Sequence, residues 1–258
     1  GDRLNTDPFV PSEVEGRSTF VFSTSLDTNG DPVADEEELG VEGFAERFEG
    51  EASGDCRLYL ISPQEVGGSF PDRLRAAVEG EAVAAFQLRV KGVDQHQLAR
   101  LAEPLQRICA DAEVAFIVND DMSLAKRLGA DGVHLGQQDG DVREARAMLG
   151  AAAQIGVTCH ASRHLAMEAG EAGADYVAFG AFYPTTTKET EHRPEPSILA
   201  WWSTLFTIPC VAIGGIKPAN AAPLVEAGAD FLAACNAVWG AEDPAAAVAA
   251  FTPVLRRG

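Results

Sequence analysis

The sequence predicts an α/β chain: a (β/α)8 TIM barrel preceded by an acidic, poorly ordered N-terminal extension. Three observations carry that prediction. From Cys56 onward, short apolar runs at 58–61, 83–90, 115–118, 132–135, 155–159, 176–182, 210–213 and 231–235 alternate with helix-like segments at 94–109, 123–128, 141–149, 164–172, 198–205 and 219–227. Strands that alternate with helical patterns form parallel β-α units. Three units also end alike, in Leu128-Gly-Ala-Asp-Gly-Val133, Glu171-Ala-Gly-Ala-Asp-Tyr176 and Glu226-Ala-Gly-Ala-Asp-Phe231. Each reads as a helix, a glycine suited to the left-handed stop after it, and then an apolar strand. Eight such strands in about 200 residues match the size of this barrel. An open doubly wound sheet fits less well, because no Gly-rich dinucleotide turn follows the first strand.

Residues 1–55 read differently. They hold 15 of the 39 acidic residues and 3 of the 20 basic ones, include Asp35-Glu-Glu-Glu38, and offer one short apolar patch, Phe20-Val-Phe22. Too little apolar surface is present to offset the ordering of that segment. The boundaries expected are therefore an extension over 1–55 and a catalytic barrel over 56–258. The extension reads as an appendage, with a regulatory or docking arm as the other reading.

The formal net charge is −19, and the body is acidic as well as the extension. That argues against a nucleic-acid partner, which would need a basic face. Any anion must be held by a few placed cations rather than by the general field. The five cysteines are dispersed without a C-x-x-C pair, the pattern of reduced thiols in a cytoplasmic protein. No segment approaches the roughly 20 apolar residues that span a membrane. The start lacks the basic and apolar regions of a signal peptide. Small molecules are the expected partners, with homo-oligomer formation compatible with everything read.

In such a barrel the chemistry sits where strands end and β-α loops begin. In Gln87-Leu-Arg-Val-Lys-Gly92, alternate residues share a face. Gln87, Arg89 and Lys91 then point toward the axis, an anion site rather than an ordinary core layer. Ile117-Val-Asn-Asp-Asp-Met122 and Gly132-Val-His-Leu-Gly-Gln-Gln-Asp139 bring Asn119, Asp120 and Asp139 to neighbouring strand ends. Two carboxylates and an amide make a hard-oxygen set suited to Mg²⁺. Asp121 is assigned as a helix cap, and His134 as an interior histidine. Thr158 and His160 follow strand 5, and Ile213-Gly-Gly-Ile216 follows strand 7, where barrels often bind phosphate. Tyr183-Pro-Thr-Thr-Thr-Lys188 leaves strand 6 with three hydroxyls and an ammonium, and Cys235-Asn236 ends strand 8.

Taken in order, Gln-x-Arg-x-Lys, Val-Asn-Asp-Asp, Gly-Val-His-Leu-Gly-Gln-x-Asp, Pro-Thr-x-Thr-Lys and Ile-Gly-Gly-Ile resemble the thiamine-phosphate synthase (pyrophosphorylase) family over residues 56–250. The resemblance implies an enzyme that joins a pyrimidine diphosphate to a thiazole phosphate with loss of pyrophosphate, through a pyrimidine cation and with Mg²⁺ as cofactor. It implies that Gln87, Arg89, Lys91, Asn119 and Lys188 hold the pyrimidine diphosphate, with Thr158 beside it, and that Asp120 and Asp139 bind the metal. Arg89, Lys91 and Lys188 would stabilise the departing pyrophosphate. Thr185, Thr187 and Gly215 would hold the thiazole phosphate. The family usually ends strand 8 with Ser; here Cys235 and Asn236 stand at the matching positions, which puts that half-site in question. A thiazole tautomerase on the same barrel, or a non-catalytic precursor-binding relative, are the other readings.

Overall fold

The structure, a computed structural model, describes residues 55–185 and 193–256. The expectations for residues 1–54 and for Thr187 and Lys188 lie outside the described residues.

Eight parallel strands close into a barrel in the order β1 to β8, each hydrogen-bonded to the next and β1 to β8. The strands are Arg57–Ile61 (β1), Val83–Leu88 (β2), Ala115–Asn119 (β3), Gly132–Leu135 (β4), Gln154–His160 (β5), Tyr176–Gly180 (β6), Cys210–Ile213 (β7) and Phe231–Ala234 (β8). Between them run helices Phe70–Ala77 (α1), Gln95–Asp111 (α2), Met122–Leu128 (α3), Val142–Leu149 (α4), Arg163–Glu171 (α5), Ser197–Leu205 (α6) and Pro218–Glu226 (α7). Three short helices, Asn236–Trp239 (α8), Pro244–Ala249 (α9) and Thr252–Leu255 (α10), end the described chain. The predicted fold class holds. Helix α1 lies in a span the sequence pattern left unassigned, although Phe70, Leu74 and Ala77 form its buried stripe and Pro71 sits at its start.

Alternation along each strand separates two apolar layers. Leu58, Leu60, Phe86, Leu88, Phe116 and Val118 pack outward under the helices. Inside the barrel lie Tyr59, Ile61, Ala85, Ala115, Ile117, Tyr176, Ala178 and Ala233, where small residues make room for two tyrosines. Glycine is required for the same reason at Gly156, where an added Cβ would meet the Tyr176 ring at 1.9 Å.

The repeated Gly-Ala-Asp endings do two jobs. Gly129, Gly173 and Gly228 take positive φ of 60°, 94° and 98° after their helices. The aspartates then clamp the start of the preceding strand: the Asp131 carboxylate accepts from Phe116 N–H at 2.7 Å, Asp175 from Ile155 N–H at 2.7 Å, and Asp230 from Cys210 N–H at 2.8 Å. Each aspartate also donates its own N–H to the carbonyl of that same residue. The repeat is a register device at the end of the barrel opposite the chemistry, where TIM barrels place stability.

Three predicted strands run shorter than their apolar patterns, β8 by one residue and β2 and β6 by two. β2 stops at Leu88, because the next N–H groups find side chains instead of a ladder partner. Arg89 N–H donates to Ser62 Oγ at 2.8 Å and Lys91 N–H to Gln64 Oε1 at 3.2 Å. β6 stops at Gly180, where the chain turns under the β7 loop. Arg89 and Lys91 therefore stand on a braced loop rather than on the strand itself.

Candidate active site

The strand ends surround one cavity of about 490 Å³ at the C-terminal mouth. Gln87, Arg89, Lys91, Asn119, Asp120, Asp139, Thr158, Thr185, Gly215, Cys235 and Asn236 all line it. Every described residue that the sequence nominated reaches this one cavity; Thr187 and Lys188 are the two nominations that fall outside the described residues.

One side of the mouth gathers charged side chains. Lys91 Nζ lies 3.3 Å from Asp120 Oδ2, with 60% of the lysine side chain exposed, so the pair is a loose surface contact that a ligand can rearrange. Gln64, which no motif pointed to, holds the Lys91 backbone from both sides through its amide. Asp120 takes a positive φ of 65°, a sparsely populated conformation for a residue with a side chain, and one that concentrates at functional sites. Its neighbour Asp121 caps α3 by accepting from Leu124 N–H at 2.8 Å, as expected.

The Asp120 and Asp139 carboxyls lie near each other, and the Asp139 carboxyl is raised above its ordinary value. Partial loss of water at the cavity mouth is the main cause; the adjacent Asp120 charge adds to it, while Gly136 N–H and Lys91 pull the other way. Glycine at 136 leaves room for the Asp139 carboxylate to accept from Gly136 N–H, since a Cβ there would press on Asp139 Oδ2. Two facing carboxylates repel unless a proton or a cation lies between them. The donor set is hard oxygen and fits Mg²⁺, which commonly takes one or two protein carboxylates and completes its shell with phosphate oxygens and water. Among the described residues no group of three or more His, Cys, Asp or Glu is placed to hold a metal, so protein ligands by themselves do not complete such a shell.

The opposite side is built from backbone. Gly214 and Gly215 have φ of 103° and 64°, and a Cβ on Gly215 would fall 2.4 Å from Pro184 O. The close approach these glycines permit is between the β6 and β7 loops, where the sequence had suggested only approach to a ligand. Asn220 braces the pair: its Oδ1 accepts from Lys217 N–H at 2.7 Å, its Nδ2 donates to Gly215 O, and its carbonyl accepts from Tyr183 Oη. Lys217 itself reaches the cavity and is a cation that the motifs missed, since it sits one residue beyond Ile-Gly-Gly-Ile. Cys235 is half-buried, its thiol 3.6 Å from Ser62 O and raised by burial, which the nearby Arg89 partly offsets. Asn236 is exposed at the rim.

The floor is polar. Gln87 donates to Tyr59 Oη at 2.7 Å, and His134 sits between the hydroxyls of Tyr176 and Thr158. His134 is the satisfied interior histidine expected of it. His160 also lines the cavity, at a positive φ of 52° where β5 bulges.

A closed (β/α)8 barrel that gathers cations, an acid pair and a braced glycine loop at its C-terminal mouth is, as a class, an enzyme for anionic small molecules. Residues 58–238 match the family model described as thiamine monophosphate synthase. The chain is 65% identical over 194 residues to the thiamine-phosphate synthase of Erythrobacter litoralis, covering 74% of this chain and 91% of that protein. It is 53% identical over 204 residues to that of Rhodospirillum centenum, covering 78% and 99%. The solved thiamine phosphate pyrophosphorylase of Pyrococcus furiosus superposes with a TM-score of 0.69 at 30% identity, over 77% of this chain and 95% of that one. The chain belongs to the thiamine monophosphate synthase family and is an enzyme of thiamine biosynthesis.

Proposed function

We propose that this chain condenses hydroxymethylpyrimidine diphosphate with a hydroxyethylthiazole phosphate (or its carboxylated form), giving thiamine phosphate and pyrophosphate. The observation that supports the reading is a single cavity lined both by Arg89, Lys91, Asp120 and Asp139, which follow β2, β3 and β4, and by Thr185, Gly215 and Asn236, which follow β6, β7 and β8.

Arg89 and Lys91 hold the diphosphate and oppose the charge that grows on it as the C–O bond breaks. Lys188 joins them in this reading. Bound between Asp120 and Asp139, Mg²⁺ would supply further neutralisation of the leaving group. Gln87, Asn119 and Thr158 orient the pyrimidine, so that its methylene faces the thiazole nitrogen when the cation forms. Thr185, Thr187, Gly215 and Asn236 fix the thiazole phosphate, and with it the direction of attack. Aligning the two reactants in this way substitutes for acid-base chemistry at the reacting carbon. Ile61 and Ile213 add apolar wall to the cavity and help keep water from a cation it would otherwise trap. A tautomerase would need neither the acid pair nor the cations beside it. The dispersed free thiols support a cytoplasmic setting, and no helix among the described residues is long and apolar enough to cross a membrane.

The test is turnover by the purified chain with both substrates and Mg²⁺. Thiamine phosphate and pyrophosphate should appear in equal amounts, and chelation should stop both. Tight precursor binding without turnover would refute the reading.

A further inference from the structure

Five side chains from five strands form one continuous hydrogen-bonded line through the barrel interior. Gln87 Nε2 donates to Tyr59 Oη at 2.7 Å, and the Tyr59 and Tyr176 hydroxyls lie 2.9 Å apart. Tyr176 Oη is 3.1 Å from His134 Nδ1, and His134 Nε2 is 2.8 Å from Thr158 Oγ1. Gln87 and Thr158, at the two ends of the line, and His134 reach the cavity, whereas Tyr59 and Tyr176 are 2% and 0% exposed and do not line it. A buried polar line is costly unless every member is satisfied, and apolar residues would fill this space more simply. The barrel instead gives up a side chain at position 156 to admit the Tyr176 ring.

The line has a direction. Gln87 presents its amide nitrogen, which only donates. A phenol oxygen, with one lone pair drawn into its ring, accepts that bond and passes its own proton onward. Tyr59 then donates to Tyr176, and Tyr176 to His134 Nδ1. A neutral imidazole whose Nδ1 accepts carries its proton on Nε2. That N–H occupies the Thr158 oxygen and leaves the threonine proton to point at the cavity. Turning the Gln87 amide would reverse every bond, put the histidine proton on Nδ1, and leave Thr158 presenting a lone pair.

We infer that Tyr59 and Tyr176 are positioning residues: they fix the tautomer of His134 and thereby make the Thr158 hydroxyl a donor to a ring nitrogen of the bound pyrimidine. The inference rests on the proposed function for the identity of that ring. Burial raises both phenols above their ordinary range, so they remain proton donors at any pH where the enzyme works.

The first experiment needs no activity. In the full chain labelled with ¹⁵N-histidine, His134 should be the Nε2–H tautomer, and Tyr176→Phe should shift it toward Nδ1–H or to an average of the two. A wild-type ring carrying its proton on Nδ1, on both nitrogens, or averaged between them overturns the inference. The second reads steady-state kinetics. Tyr176→Phe should raise KM for the pyrimidine diphosphate about tenfold, the effect of one lost hydrogen bond, and leave KM for the thiazole phosphate within about twofold. Thr158→Val should do the same, and the double variant should be no worse than about twofold beyond Thr158→Val. A lowered melting temperature with unchanged KM, or two effects that simply multiply, overturns it. A wild-type chain that makes no thiamine phosphate defeats the proposed function, while the spectrum still decides the tautomer.

Discussion

Asp139 shows how one residue concentrates the requirements of the site. It is exposed at the mouth, accepts from Gly136 N–H and lies near Asp120, so its replacement removes a charge from the chemistry and little from the core. Asp139→Ala should lower kcat/KM by about 100-fold or more at saturating Mg²⁺, with an unchanged melting temperature. Retained activity would remove Asp139 from the metal site. The raised carboxyl also sets a pH dependence. A proton competes with the cation for Asp139, and the fold holds that proton more tightly than an ordinary carboxylate would. The Mg²⁺ concentration needed for half-activation should therefore climb as pH falls, beginning above the usual carboxylate value of about 4. A requirement flat down to that pH would contradict the paired-acid description. The identities of Asp120, Asp139, Arg89 and Lys91 were legible because their types and strand-end positions point to one chemistry. Tyr59 and Tyr176 were not, since an aromatic in an apolar strand reads as core until the hydroxyl partners are seen.

At the scale of the element, the Gly-Ala-Asp repeat was half legible. Its glycines announced helix ends, but nothing in the local sequence told that each aspartate reaches back to the preceding strand. Asp131 is the plainest case, because Asp175 also carries an ion pair to Arg146 at 2.6 Å. Asp131→Ala leaves Phe116 N–H without its acceptor and should cost about 1–3 kcal/mol in denaturant unfolding. Burial raises the Asp131 carboxyl, so the native chain binds that proton more tightly than the unfolded one. The associated stability is present below the unfolded-state pKa and is lost as pH rises through the native one. Asp131→Asn keeps an acceptor but cannot ionise. It should cost less than the alanine, and its melting temperature relative to wild type should improve between about pH 4 and about pH 7. A difference that does not change with pH would contradict the assignment. Strand ends were the least legible feature. β2 and β6 stop short of their apolar runs because Ser62, Gln64 and the β7 loop decide where pairing ends, and these are distant in sequence.

For the whole molecule, the barrel was legible because alternation of strands and helices repeats over eight units and leaves few other closed arrangements. That closure brings the ends of β2 to β8 around a common axis, so residues nominated at separate strand ends line one cavity. The family match begins at residue 58, and we propose that residues 1–55 are an appendage to the working barrel. Deleting residues 1–50 should leave kcat/KM within about twofold, a change too small to reflect a lost substrate contact; a large loss would make the segment part of the enzyme. We propose that the acid pair serves the leaving diphosphate while the β6 and β7 loops hold the other phosphate. The most direct measurement of this is a crystal structure with thiamine phosphate, pyrophosphate and Mn²⁺, reading the metal by its anomalous signal. A peak is expected between the Asp120 and Asp139 carboxylates, pyrophosphate against Arg89 and Lys91, and the product's phosphate at Thr185 and Gly215. Metal bound away from both aspartates, or the two anions in exchanged positions, would contradict it.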